Sequence, residues 1–504
     1  MPKMGRRSVV SQREDIRRRF SRREFLGTLG TGTAVVAASS CVPAARRGLR
    51  LRGSRRPPNI VLVLTDDQGY ADLGCYGARD FETPTLDRLA AAGIRFTNYC
   101  VAQAVCSASR ASLLTGCYPN RIGLLHALMP WAENGLARGE VTVAELLKTR
   151  GYVCGVFGKW HLGHRREFLP LQHGFDEYFG LPYSNDMWPL DFDGRPVAPD
   201  SWKSKYPFPP LIDGNEKAGE VRTFEDQDRL TSLYTERAVR FIDKNHDRPF
   251  FLYIPHSMPH VPLGASSRFR GRSRQGLYGD VIMEIDASVG EVLAALERHG
   301  IVESTLVLFA SDNGPWLSFG NHAGSAGPLR EGKGTIWEGG VRVPFIAHWP
   351  GVIAAGAVCG RLAASMDILP TIAAIVGAPL PPRRIDGVNI LPLLLGDPEA
   401  APRSEFYYYY GTDLKAVRRE RWKLHLPHLD QTYEGYTPGG DRRPGATGKA
   451  TTGLELYDLE RDIGERRNVA AEHPEIVVRL RGLATAAWLD LGDGERRGRG
   501  VRAR

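Results

Sequence analysis

The sequence predicts an α/β fold with a largely parallel sheet and a small antiparallel appendage. Three observations carry this: after Pro57 short apolar runs alternate with amphipathic stretches of helical length, polar motifs follow directly on several of those runs, and the pattern changes near Pro402. The expected strands are Ile60–Leu64, Val153–Phe157, Phe250–Ile254, Leu306–Ala310 and Val343–His348, mostly continuous apolar blocks of the kind covered on both faces. Helices are expected at Thr85–Ala92, Val143–Thr149, Leu230–Lys244 and Ile282–Arg298. Segment 183–222, rich in Pro, Trp and Asp, reads as a long excursion over the site and a source of substrate contacts.

Beyond Pro402, short strands are expected at Phe406–Tyr410, Ala416–Val417 with Trp422–His425, and Leu454–Leu459, before a helix from about Pro474 to Leu489. A Gly/Pro-rich loop, Gly435–Gly453, interrupts them. The chain therefore divides into residues 1–56 as export signal and linker, 57–401 as the catalytic domain, 402–493 as a C-terminal α+β subdomain, and 494–504 as a disordered tail.

Hydrophobic residues at 42% and charged residues at 24% of 504 leave disorder, collagen and multi-span membrane classes unsupported. The net charge of +9 invites a nucleic-acid reading, but 15 of the 66 basic and 3 of the 57 acidic residues lie in positions 1–56, leaving 51 against 54 elsewhere. The basic character belongs to the N-terminus, and no nucleic-acid partner is expected. There Ser21-Arg22-Arg23-Glu24-Phe25-Leu26, followed by the weakly apolar stretch Gly27–Ser40, resembles a twin-arginine export signal. It implies the Tat machinery as a partner and a periplasmic or extracytoplasmic location, with membrane attachment only if Cys41 is lipidated. Seven cysteines, without CxxC pairs or zinc spacing, read mostly as buried thiols.

Several polar clusters end the strands. Asp66-Asp67 follows Ile60–Leu64, and Asp312-Asn313 follows Leu306–Ala310. Together they supply hard oxygen ligands of the kind that suit Ca²⁺ or Mg²⁺, although each alone reads more readily as a cap or turn. Lys159 and His161 lie in Gly158-Lys159-Trp160-His161-Leu162-Gly163, His260 in Pro259-His260-Val261-Pro262, and Lys333 in Gly332-Lys333-Gly334. Beside a metal such groups bind a tetrahedral anion and shuttle protons, whereas singly each is more often a surface lysine or structural histidine.

The ordered combination of Thr65-Asp66-Asp67-Gln68-Gly69-Tyr70, Cys106-Ser107-Ala108-Ser109-Arg110, Gly158 to Gly163, Pro182-Tyr183-Ser184-Asn185-Asp186, Asp312-Asn313-Gly314-Pro315 and Gly332 to Gly340 resembles the sulfatase family, arylsulfatase A-like members above all. The resemblance runs from about Pro57 to Leu489. It implies an alkaline-phosphatase-like large mixed sheet flanked by helices, and hydrolysis of a sulfuric ester to alcohol and sulfate. By the same resemblance, Asp66, Asp67, Asp312 and Asn313 hold one divalent cation, most often Ca²⁺, and Cys106, oxidised to formylglycine, is a further ligand and the nucleophile. Arg110 hydrogen-bonds that nucleophile, while Lys159, Lys333 and Ser184 bind sulfate oxygens. His161 manages protons at the hydrated aldehyde, and His260 assists the leaving alkoxide. His256 reads as a neighbouring structural residue and His322 as a surface histidine.

The chemistry explains the modification. A hydrated aldehyde offers one hydroxyl to attack sulfur and a second whose deprotonation expels sulfate, an exit that serine lacks. Ala108 stands where the maturation motif usually has Pro, so a formylglycine-generating or a radical maturation enzyme could act on it. An exported chain points to a sulfated carbohydrate substrate. Two alternatives share these residues: a phosphonate or phosphate ester hydrolase of the same superfamily, and a non-catalytic glycan-binding protein whose Cys106 stays a thiol.

Overall fold

The computed structural model describes residues 56–494 and 496–502. The export signal, its Arg pair and Cys41 lie outside the described residues.

Ten strands form one mixed sheet: β1 (Asn59–Thr65), β2 (Ile94–Phe96), β3 (Val153–Phe157), β4 (Glu177–Gly180), β5 (Pro210–Asp213), β6 (Glu216–Glu220), β7 (Phe250–Pro255), β8 (Thr305–Ser311), β9 (Phe345–His348) and β10 (Ala357–Cys359). Their spatial order is β10-β2-β9-β8-β1-β7-β3-β4-β5-β6, and the five central strands β8-β1-β7-β3-β4 run parallel. Antiparallel partners, β9 on one side and the β5–β6 hairpin on the other, flank them. Every residue of β1 is buried, because alternate side chains enter two different cores. Ile60, Leu62 and Leu64 face one, and Val61 and Val63 the other.

The first core is closed by α2 (Cys106–Thr115), α3 (Val143–Lys148) and α6 (Ile368–Val376), the second by α1 (Pro84–Ala91), α4 (Leu230–Asn245) and α5 (Leu277–Arg298). The start of α3 carries a complete capping box, Thr142 with Glu145. The expected strand at 343–348 begins two residues later and runs antiparallel to β8. Helix α5 begins at Leu277, ahead of the expected Ile282, directly after Gly276 at φ +70°.

The excursion at 183–222 ends in the hairpin β5–β6, which sequence patterning did not show. Its second strand, Glu216-Lys217-Ala218-Gly219-Glu220, lies at the sheet edge and is polar on both faces, so no alternation marks it.

The C-terminal region forms a four-strand antiparallel sheet from Glu405–Tyr410, Asp413–Arg419, Trp422–His425 and Glu455–Asp458, with α7 (Pro474–Leu491) packed on it. Within the expected loop, Gly448–Thr452 pairs with His428–Thr432 as a separate hairpin. Residues 496–502, expected on composition to be disordered, are held in place. Gly500 donates to the Asp490 carbonyl, Arg121 donates to the Gly500 carbonyl at 3.0 Å, and Arg502 pairs with Glu140.

A buried charge network joins the two regions. Lys423 Nζ lies 2.8 Å from Glu465 and 3.1 Å from Glu338, and donates to the Ile336 carbonyl at 2.8 Å. Glu338 also meets Arg342 at 2.7 Å, whereas Glu465 has Lys423 as its lysine partner beside His425. Lys423→Met leaves Glu465 without that compensation and is expected to destabilise the protein by about 3–5 kcal/mol. Urea unfolding measures this, and a loss below about 1 kcal/mol would refute the network's structural role.

Candidate active site

Four adjacent parallel strands deliver their polar motifs to one edge of the sheet, at the carboxyl ends where open α/β sheets place ligands. Asp66 and Asp67 follow β1, Asp312 and Asn313 follow β8, Lys159 follows β3, and His256 and His260 follow β7. Main-chain bonds lock these ends together: Asp312 N donates to the Thr65 carbonyl at 3.0 Å, Asp66 N to Met258 at 3.2 Å, and Lys159 N to Pro255 at 2.7 Å. Close approach requires glycine at two of these junctions. A Cβ on Gly158 would meet the Pro255 carbonyl oxygen at 2.0 Å, and one on Gly314 would meet that of Gly339 at 1.8 Å.

Cys106 opens α2, a helix buried along its whole length. Its Sγ donates to Asp66 Oδ1 at 3.5 Å. Burial, and then the Asp66 charge, push the Cys106 thiol up to about 12. One turn on, Arg110 donates to Asp312 and to Asp66 at 2.9 Å each, and to the Lys159 carbonyl at 2.6 Å. The two carboxylates that share this guanidinium differ. Burial tends to raise Asp66, but Lys159 and Arg110 hold it well below the usual range, whereas burial and the Asp66 charge raise Asp312.

Lys159 Nζ pairs with Asp66 and donates to Ser184 Oγ at 3.0 Å. Lys333 Nζ lies 2.7 Å from Asp67 Oδ1. Burial opposes the charge on both amines, and Asp66 and Asp67 respectively overcome it, so both are held above the ordinary lysine range. The loop bearing Lys333 is fastened from two sides. Gly334 N donates to the Ala104 carbonyl at 3.0 Å, and Tyr433 of the C-terminal region donates to the Lys333 carbonyl at 2.7 Å.

The two histidines are oriented by carbonyls. His161 Nε2 donates to Leu128 O at 2.9 Å, leaving Nδ1 with no hydrogen-bond partner among the described residues. Burial, then Lys159 and Arg110, hold its pKa well below the imidazole range, so the ring is neutral. His260 Nδ1 donates to Val261 O at 2.6 Å, which turns Nε2 toward Asp67 Oδ2 at 3.5 Å. Asp67 and His161 both occupy the left-handed region, at φ +63° and +58°. Non-glycine residues are held there at some cost, and such positions concentrate at functional sites.

Ligand atoms of Asp66, Asp67, Cys106 and His260 lie within 4.8 Å of one another, all on buried residues. Asn313 donates to Asp67 Oδ1 at 2.7 Å, and its own Oδ1 is buried without a hydrogen-bond donor among the described residues. An orphaned carbonyl oxygen beside carboxylates fits a hard cation.

All eleven expected site residues therefore share one buried edge of the sheet. His256 is packed against Ser288 at 3.5 Å, and burial lowers it to about 4. His322, expected at the surface, is buried; its charged neighbours are Arg442 and Asp441 of the C-terminal region. Sequence reasoning missed Trp316, whose ring lies 5.5 Å from that of His260 and under the Lys333 ammonium at 4.5 Å. It also missed Tyr433 and the Leu128 carbonyl, which act through main-chain bonds that no motif displays.

Residues 58–378 match the family model described as Sulfatase, and residues 401–495 that of the C-terminal region of aryl-sulfatase. The chain is 40% identical to human arylsulfatase A over 85% of its own length and 87% of that protein's. It is 42% identical to mouse N-acetylgalactosamine-6-sulfatase over 83% of each. The crystal structure of the PsFucS1 sulfatase from Pseudoalteromonas sp. superposes with a TM-score of 0.77 at 29% identity, over 86% of this chain and 90% of that one. The motifs, their convergence on one sheet edge and these likenesses agree: the chain belongs to the sulfatase family of the alkaline-phosphatase superfamily and is a sulfuric ester hydrolase.

Proposed function

We propose that this sulfatase is exported and removes sulfate from carbohydrate, using a formylglycine made from Cys106 and one Ca²⁺. The observation that carries the reading is the setting of Cys106, a buried thiol pushed up to about 12 with lysines and carboxylates around it. Held that way it is not a thiolate at neutral pH and is a poor nucleophile as it stands. Oxidised to the hydrated aldehyde, position 106 supplies one hydroxyl for attack on sulfur and a second whose deprotonation releases sulfate.

Asp66, Asp67, Asp312 and Asn313, with the oxidised side chain of residue 106, would hold the cation. Bound there, Ca²⁺ would acidify the attacking hydroxyl and balance charge on the sulfuryl oxygens. Arg110 offsets part of the negative charge on Asp66 and Asp312, and Asp66 in turn accepts from residue 106. Lys159 and Lys333, aided by Ser184, present positive charge to the sulfate oxygens in a site sheltered from water. His161, neutral and with a free Nδ1, accepts a proton near the nucleophile. His260, its Nε2 facing the cluster, delivers one to the departing alcohol.

The relative named for N-acetylgalactosamine 6-sulfate supports a sugar substrate. The Arg22-Arg23 pair supports export in folded form through the Tat machinery to the periplasm or beyond, with the aldehyde installed beforehand by a maturation enzyme that accepts Ala108. Replacing both arginines with lysine is expected to retain the protein inside the cell, and unchanged export would refute the signal.

Peptide mass spectrometry across Cys106, on protein matured in its own host, tests the central claim. An aldehyde in place of the thiol is the expected result; an intact thiol in active enzyme refutes the mechanism. A second test concerns His260. Replacing it with Ala is expected to reduce kcat/KM by roughly 10²–10⁴-fold on alkyl sulfates with poor leaving groups, and far less on activated aryl sulfates. Equal losses on both would remove it as the general acid.

A further inference from the structure

Outside the sulfate pocket, the structure carries exposed aromatic surface. Trp131 is 51% and Trp202 65% exposed, and both rings rest on Tyr206, at 5.3 Å stacked and 5.4 Å edge-on. Indole faces left open to water in this way are unusual unless something covers them.

The platform is built on neighbours of the catalytic groups. Tyr206 packs with Tyr183 and Met129. Tyr183 precedes Ser184, which meets Lys159, and Met129 follows Leu128, whose carbonyl orients His161. Asp186 adjoins both regions. One of its carboxylate oxygens is buried, with no hydrogen-bond donor among the described residues. Burial tends to raise its pKa, but His260, Ser184, Lys159 and Lys333 hold it below the usual range, and its charge in turn bears on Tyr206 and Lys203. Trp316 stands against His260 and Lys333.

A carboxylate with one buried oxygen that has no donor among the described residues, close to aromatic rings and to the group that protonates the leaving alcohol, suits a ring bearing several hydroxyls. Its hydroxyls would donate to the acid and its C–H face would lie on indole. We infer that Trp131, Trp202, Trp316 and Asp186 form a subsite for the sugar ring whose oxygen is released from sulfate. This rests on the carbohydrate reading proposed above.

The test compares variants on the panel member that the wild type hydrolyses best among monosulfated N-acetylgalactosamine, N-acetylglucosamine, galactose and fucose. Trp131 and Trp202 are mostly exposed, so their replacement spares the fold. Trp202→Ala and Trp131→Ala are expected to raise KM for that sugar roughly 5- to 10-fold with kcat little changed, and Trp202→Tyr to restore most of the loss. Asp186→Asn is expected to raise KM further. Inorganic sulfate carries no ring, so its inhibition constant is expected to shift less than about twofold in the tryptophan variants. KM values that stay unchanged, or that shift together with the sulfate constant, overturn the subsite and leave the sulfatase assignment standing. A wild type that hydrolyses p-nitrophenyl sulfate but no sugar of the panel overturns the carbohydrate reading, and the subsite with it.

Discussion

Cys106→Ala abolishes turnover of sulfate esters, with kcat reduced on the order of 10⁴-fold or more, and leaves the fold intact. The size of the effect follows from the position. Cys106 is the first residue of α2, and its thiol lies among the charges of Asp66, Lys159 and Lys333. The structural cost is small because Ala removes one buried sulfur and leaves no unpaired charge, on the order of 1 kcal/mol. Cys106→Ser separates the two halves of the chemistry: one hydroxyl remains for attack, but the second, which releases sulfate, is missing. A single turnover with retained label is expected, read by intact mass after incubation with substrate. Sustained turnover by either variant would show that residue 106 is not the nucleophile.

Arg110→Leu has the largest expected effect on stability. The guanidinium is fully buried and serves three acceptors, Asp66, Asp312 and the Lys159 carbonyl. Without it the two carboxylates face each other in the interior with Lys159 as the remaining cation on Asp66. Breaking such a buried network costs about 3–5 kcal/mol. A divalent cation at the same carboxylates would offset part of this, so the deficit is expected to widen in EDTA. Arg110→Lys does not rescue, because one ammonium cannot reproduce the planar three-acceptor geometry. Denaturant unfolding with and without chelator measures both points. A variant as stable as wild type in EDTA would mean that Arg110 does not carry the charge balance assigned to it.

Some of this was open to reading from residues alone. The blocks Ile60–Leu64 and Leu306–Ala310 have no polar alternation, so burial on both faces and a parallel central sheet followed from composition and periodicity. The motifs at their ends were visible for the same reason, since a strand that stops in Asp-Asp or Asp-Asn changes polarity abruptly. The edge hairpin β5–β6 escaped because edge strands need not bury a face, and the pairing of Gly448–Thr452 escaped because its partner supplies the register. Residues 496–502 escaped because their order rests on polar bonds with Arg121, Glu140, Leu489 and Asp490, not on hydrophobic pattern.

The sequence by itself determined the fold class, the family resemblance and the identity of the polar groups at the strand ends. These depend on local periodicity and on residue types in a fixed order. Tertiary structure alone decided how those groups act on one another. It made Arg110 the shared partner of two carboxylates, left His161 an unpartnered Nδ1 and turned His260 Nε2 toward Asp67 through backbone carbonyls, and placed Trp316 between His260 and Lys333. Those features arise where segments as far apart as Arg110 and Asp312, 202 residues, meet in a buried, low-dielectric edge of the sheet, where neighbouring charges and main-chain dipoles set protonation and orientation.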